Sequence, residues 1–126
     1  MASALDGITV LDLGTGPAAA LATMFFSDHG ARVIRIVQPE DAEMRDGGFI
    51  VWDRGKELVK LDLRAAAADR ENANLFRRLV AGADVLVDDF APSELCQCLV
   101  DGEWLKTVNP RLVSCSITAF GKRGPL

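Results

Sequence analysis

The chain has 126 residues, with 14 Lys and Arg against 18 Asp and Glu, one histidine and a formal charge of −4 at pH 7. That length suits one domain with a real core, and 49% hydrophobic against 25% charged residues excludes disordered and fibrous classes. An acidic chain with no Lys/Arg block, and with six Phe and two Trp to stack bases, lacks the footprint of a nucleic-acid binder.

Ile8, Val10, Leu11 and Leu13 form a nearly continuous apolar run, which predicts a strand covered on both faces of a parallel sheet. Gly14-Thr15-Gly16 breaks the run. Pro17 suits the first helical position, because its fixed φ and missing N–H cost nothing there, and Thr15 or Gly16 is available as the cap. A helix is predicted from Ala18 to His29, with Leu21, Met24, Phe25 and Phe26 facing a core and Gly30 as the stop. Val33, Ile34, Ile36 and Val37 make the next strand. Together these form a right-handed βαβ unit, which leaves the glycine turn and the helix N-terminus at the carboxyl edge of the sheet, where anionic ligands sit.

Gln38 to Gly48 is polar and reads as a surface loop. Phe49 to Trp52 returns to apolar character, and Asp53-Arg54-Gly55-Lys56 reads as a turn before a strand from Glu57 to Leu63. Leu75, Phe76, Leu79 and Val80 recur at helical spacing in a helix predicted from Arg64 to Ala83, with Gly82 ending it. Asp84 to Asp89 is a short buried strand with carboxylates at its end. A Ser93-capped helical turn through Leu99 follows, then a short helix from Asp101 to Val108, broken by Pro110. Leu112, Val113, Cys115 and Ile117 give the last strand. This alternation, without internal repeat, predicts a single three-layer, Rossmann-like α/β domain over residues 1–126, a mostly parallel sheet with helices on both faces. The chain stops in the loop Ala119 to Pro125, directly after a core strand, and so reads as a piece of something longer.

Gly14-Thr15-Gly16-Pro17-Ala18-Ala19 satisfies G-x-G-x-x-A, a variant of the dinucleotide fingerprint, in the strand-to-helix context that the motif demands. Small residues let a phosphate approach the backbone, and first-turn amides supply donors along with a positive dipole end. That reading requires the turn to face outward with its amides free. The competing reading is a tight turn that needs glycine only for geometry. A dinucleotide site also wants a carboxylate ending the second strand; Gln38 stands there, while Glu40 and Asp41 lie in the loop.

His29, one residue before a helix-ending glycine, reads as a dipole-favoured cap. Asp88 and Asp89 are adjacent in a strand, so they point to opposite faces, one of them toward the ligand edge. Arg54-Gly55-Lys56 and Lys122-Arg123 are small basic turns that either contact phosphates or solubilise loops. Cys96, Cys98 and Cys115 match no common zinc spacing and read as reduced, packed thiols, so no metal is expected. The apolar segment Ala18 to Phe26 is too short to span a bilayer, and the first six residues lack the basic start of a signal peptide, so a cytoplasmic protein with no membrane partner is expected.

Six stretches recur in a telling order: Leu5-Asp6-Gly7-Ile8-x-Val10-Leu11-Asp12; Gly30 to Ile36; Arg54-Gly55-Lys56 with Leu61-Asp62-Leu63; Ala83 to Phe90 with Pro92; Asn109 to Val113; and Ser116-Ile117-x-x-Phe120-Gly121-x-x-Gly124-Pro125. In this order the chain resembles the N-terminal part of the family III CoA-transferases, the CaiB/BaiF group, which includes formyl-CoA transferases, carnitine CoA-transferases and α-methylacyl-CoA racemases. The resemblance changes the expected ligand from a dinucleotide to coenzyme A, lying across the carboxyl edge. It implies that Thr15, Gly16, Pro17 and Ala18 form the loop against CoA, that Gln38 lies near the adenosine end, and that Leu61 and Arg64 lie beside the adenine. Asp89 and Phe90 fall at the pantetheine or diphosphate.

The chain departs from the family in four places. Ala18-Ala19-Ala20 stands where relatives carry Ala-Gly-Pro; Gln38 and Gln97 stand where basic residues are common; Asp89 replaces a common Asn. The transferases' catalytic Asp, which forms an acyl anhydride and then a CoA thioester, lies beyond this chain, as does the racemases' His and Asp pair. The resemblance thus implies no catalytic residue here, an inactive isolated piece, and a full-length interlocked homodimer that takes an acyl-CoA and a carboxylic acid acceptor. A racemase-type domain, a non-catalytic scaffold and a plain dinucleotide-binding oxidoreductase domain are the alternatives.

Overall fold

Strands β1 (Thr9–Asp12), β2 (Arg32–Val37), β3 (Glu57–Lys60), β4 (Val85–Asp88) and β5 (Val113–Ser116) form one sheet in the order β3-β2-β1-β4-β5. Each neighbouring pair is parallel, with Val10 beside Val33 and Val85, and Leu11 beside Ile34 and Leu86. The computed structural model describes residues 2–39, 47–64, 69–90, 102–121 and 123. Within them the helices are α1 (Pro17–Asp28), α2 (Gly47–Trp52), α3 (Arg70–Ala81) and α4 (Gly102–Val108).

Alternation along each strand feeds two cores. On one face Val10, Val33 and Val87 pack with Ala19 of α1 and with Ala31. On the other, Leu11, Leu13, Ile34, Ile36 and Leu86 meet Phe76 and Val80 of α3 and Leu105 of α4. Phe76 stacks on Trp104 with ring centroids 5.7 Å apart, which ties α3 to α4. The expected three-layer α/β architecture is therefore present, and among the described strands it is wholly parallel.

Helix ends follow local chemistry. Asp69 caps α3, accepting from the Glu71 amide at 3.0 Å. The helix thus starts later than the expected Arg64, whose own amide is held by Asp62 Oδ1 in a turn. Gly82 closes it, as expected. At the end of α1, the Ala31 and Gly30 amides reach back to the Phe26 and Ser27 carbonyls, and Gly30 adopts φ +99°, the left-handed conformation that this termination needs.

Two expectations about burial need correction. Of the four α1 residues expected inward, Met24 is buried and Phe26 packs partly buried against the core, but Leu21 and Phe25 are 42% and 54% exposed, and Ala19, Ala20 and Thr23 are buried with Met24. Where the helix crosses β1, a Cβ on Gly14 would lie 2.2 Å from Ala19 Cβ, so at that crossing only a small side chain fits. Cys115, expected to be packed, is exposed on the edge strand β5, where three of four residues are open to solvent. The apolar stretch Phe49 to Trp52 belongs to α2, which takes in the last two residues of the expected Gln38 to Gly48 loop. The strand predicted to Leu63 leaves the sheet after Lys60, yet Leu61 and Leu63 stay in the core. The Ser93 to Leu99 turn, Cys96, Gln97, Cys98, Glu40, Asp41 and Lys122 lie outside the described residues.

Candidate functional site

Because every described strand runs the same way, the loops after β1, β2, β3 and β4 open on one edge. The strand order reverses between β1 and β4, the crevice where open sheets of this topology receive ligands.

The loop after β1 is set by packing. Asp12 Oδ1 accepts from the Gly14 amide at 2.9 Å, and the missing Cβ of Gly14 admits Ala19. Thr15, Pro17 and Ala18 are exposed, Gly16 is half-buried, and α1 begins at Pro17 with Gly16 as a cap that contributes no side chain.

The amides of this turn are not free. Asp89, at the end of β4, accepts from the Thr15 amide at 2.9 and 3.0 Å, from Thr15 Oγ1 at 3.2 Å and from the Gly16 amide at 2.7 Å. Amide donors and the positive end of the α1 dipole favour an anion here, and the chain supplies its own. The sequence reading of an outward turn holding phosphoryl groups is corrected to this extent. Gly14 has a packing role, and Gly16 lets the carboxylate come close, since its Cβ would lie 3.2 Å from Asp89 Oδ2.

Asp88 points the other way, as the alternation requires. It is buried and accepts from the Phe90 amide at 3.2 Å and from Ser116 Oγ at 2.8 Å. Gln38 is buried at the end of β2, and its Oε1 accepts from the Leu63 amide at 3.0 Å, joining the ends of β2 and β3. Leu61 and Phe90 are turned into the core, so they shape the edge from below, whereas Arg64 is exposed. Of the nine expected residues, hydrogen bonds bring Asp89, Thr15 and Gly16 together.

Beneath the turn lies a charged network that the sequence reading did not find. Lys56 Nζ donates to Thr23 Oγ1 at 2.8 Å, to the Ala20 carbonyl at 3.0 Å and to Asp12 Oδ2 at 3.3 Å, and lies 3.7 Å from Asp53 Oδ1. Thr23 Oγ1 donates to Asp12 Oδ2 at 2.6 Å, and Arg35 Nη1 holds both Asp53 oxygens at 2.5 Å. Its signal was available: Asp12 and Arg35 interrupt apolar strand runs, and a charge there must find a partner.

The two basic residues of the Arg54-Gly55-Lys56 turn go different ways: Arg54 stays at the surface and Lys56 turns inward. Lys56 is enclosed in the network. Arg54 clasps Asp28 at 2.7 and 3.1 Å, and the hydrogen bond to its guanidinium holds the Asp28 carboxyl below its ordinary pKa and raises that of Arg54. His29 is the C-cap of α1, with Nδ1 2.7 Å from the Phe25 carbonyl, as expected.

A succinate–glutarate CoA-transferase of Agrobacterium fabrum is 34% identical over 138 residues, covering 96% of this chain and 34% of the relative. An acetyl-CoA:oxalate CoA-transferase of Acetobacter aceti is 34% identical over 131 residues, covering 96% of this chain and 33% of the relative. Among solved structures, a CaiB/BaiF family protein from Brucella suis superposes with a TM-score of 0.84 at 34% identity, covering 99% of this chain and 36% of that one. The chain spans about a third of the length of these relatives. Its sequence matches the family description over residues 5–126, nearly end to end, and on that match the chain belongs to CoA-transferase family III.

Proposed function

We propose that this chain is the N-terminal, CoA-binding domain of an acyl-CoA transferase. CoA lies across the carboxyl edge, bounded by Thr15 to Ala18, Gln38, Leu61, Arg64, Asp89 and Phe90. The observation that carries the reading is that these residues, which the family resemblance assigns to CoA, close β1 to β4 on one edge of a parallel sheet. The exposed Arg64, with Leu61, lies beside the adenine.

In the full-length protein CoA passes between carboxylic acids through an aspartyl-CoA thioester on an Asp outside this chain. The partners are an acyl-CoA and a carboxylate acceptor, the assembly is an interlocked homodimer, the setting is the cytoplasm, and this piece alone is inactive. The relatives named above use succinate, glutarate, acetyl-CoA and oxalate, which sets the first substrates to try.

One observation favours a second reading, a scaffold whose ligand edge has lost its anion site: Asp89 occupies the turn amides. Assaying the full-length gene product with succinyl-CoA or acetyl-CoA as donor and glutarate or oxalate as acceptor separates the two. Turnover supports transfer and removes the scaffold. Epimerisation of a 2-methylacyl-CoA without any acceptor moves the reading to a racemase, and failure of both reactions with no CoA binding by calorimetry overturns it.

A further inference from the structure

Asp89 spans the crevice between the carboxyl ends of β1 and β4. Its Oδ1 takes the Thr15 amide and hydroxyl, and its Oδ2 takes the Gly16 amide and a second contact with Thr15 N, all within 3.2 Å. A phosphoryl oxygen entering this turn would need the same donors and would meet a fixed negative charge. Pro17 has no N–H to add to them. Two independent features therefore coincide at one side chain: the donors are consumed, and the topological switch point is bridged.

We propose that Asp89 is a specificity-determining residue, a resident anion that closes the β1/β4 crevice to phosphoryl groups and leaves it to the uncharged arm of CoA. The part concerning CoA rests on the function proposed above; the exclusion of phosphoryl groups does not. The phosphates then lie toward the β2/β3 half of the edge, past Gln38 and Arg64.

The test uses the full-length gene product, wild type and with Asp89→Ala or Asp89→Asn, carrying ¹⁵N-labelled Thr and Gly. Inorganic pyrophosphate and CoA are titrated separately, and thermal melting checks the fold of each variant. In the wild type, the Thr15 and Gly16 amide signals stay in place when pyrophosphate is added. In Asp89→Ala they move, and pyrophosphate affinity rises about tenfold or more, the loss of a competing charge-assisted contact. Asp89→Asn, which keeps one acceptor and the shape of the side chain, gives a smaller gain at the same two signals and carries the test if the alanine variant fails to fold. Wild-type signals that already respond to pyrophosphate overturn the proposal, as do folded variants that gain nothing. The CoA titration is read apart. A pyrophosphate gain in the variants without wild-type CoA binding sinks the CoA reading and leaves the role of Asp89 standing; CoA binding without that gain does the reverse.

Discussion

Lys56 sits with its side chain fully enclosed among Asp12, Thr23, Ala20 and Asp53, so its charge is tolerated only because every neighbour answers it. Removing one partner of such a group leaves the rest desolvated and unpaired. Lys56→Met is therefore expected to cost about 3–5 kcal/mol in urea unfolding, far more than an exposed lysine. Gly14 makes a sharper geometric claim. Gly14→Ala drives a Cβ into Ala19 and should cost at least about 1–3 kcal/mol, whereas Gly14→Ala with Ala19→Gly removes the clash and recovers stability, less about 1 kcal/mol for a helical glycine. A cycle over the four proteins that shows no coupling would contradict the close approach. At this scale the sequence showed that residues 14 to 16 form a turn, but not that its donors are taken. Asp89 is 74 residues from Thr15, and nothing local reports that the end of β4 lies beside it.

Among the elements, α1 explains the clearest misreading. Four large apolar residues were expected inward; Met24 and Phe26 are, yet beside β1 the helix lies so near the sheet that Ala19, Ala20 and Thr23 face it while Leu21 and Phe25 look out. Size patterning fixes that α1 is a helix; its rotation about its own axis depends on a contact with Gly14 that has no periodic signature. On the opposite face packing is conventional, and Phe76 is fully buried against Trp104. Phe76→Ala should cost about 3–5 kcal/mol, whereas Phe25→Ser should stay within about 0.5 kcal/mol. Equal costs would contradict the assigned face. The late start of α3 has a similar origin: alanine-rich composition favours helix over residues 65–68, but Asp69 supplies the cap that decides where α3 begins.

For the whole molecule, strand and helix alternation was enough to read a parallel α/β sheet, because βαβ units leave few other topologies. Surface charge adds a pH dependence. Glu57 is held below 4.5 by its hydrogen bonds to the Arg32 guanidinium, and Asp28 below 3.8 by those to Arg54. Both carboxyls have folded pKa values beneath their unfolded ones. Their stabilisation is therefore complete above about pH 5 and is lost as pH falls through those values and below. Both pairs are solvent-exposed, so the loss is small and shrinks with added salt. Melting temperatures between about pH 6 and pH 3 should fall less steeply in Arg54→Ala than in wild type. A steeper fall would reverse the sign assigned to Asp28.

That CoA crosses the carboxyl edge is tested most directly by hydrogen exchange of the full-length gene product with and without saturating CoA. Protection is expected at the amides of Thr15, Gly16 and Ala18, of Gln38, of Leu61 to Arg64, and of Asp89 and Phe90. No change is expected at the opposite, amino edge, where Gly82, Asp84, Asn109, Arg111 and Val113 line an open groove. Protection of that groove, with the four carboxyl-edge segments unchanged, would contradict the account.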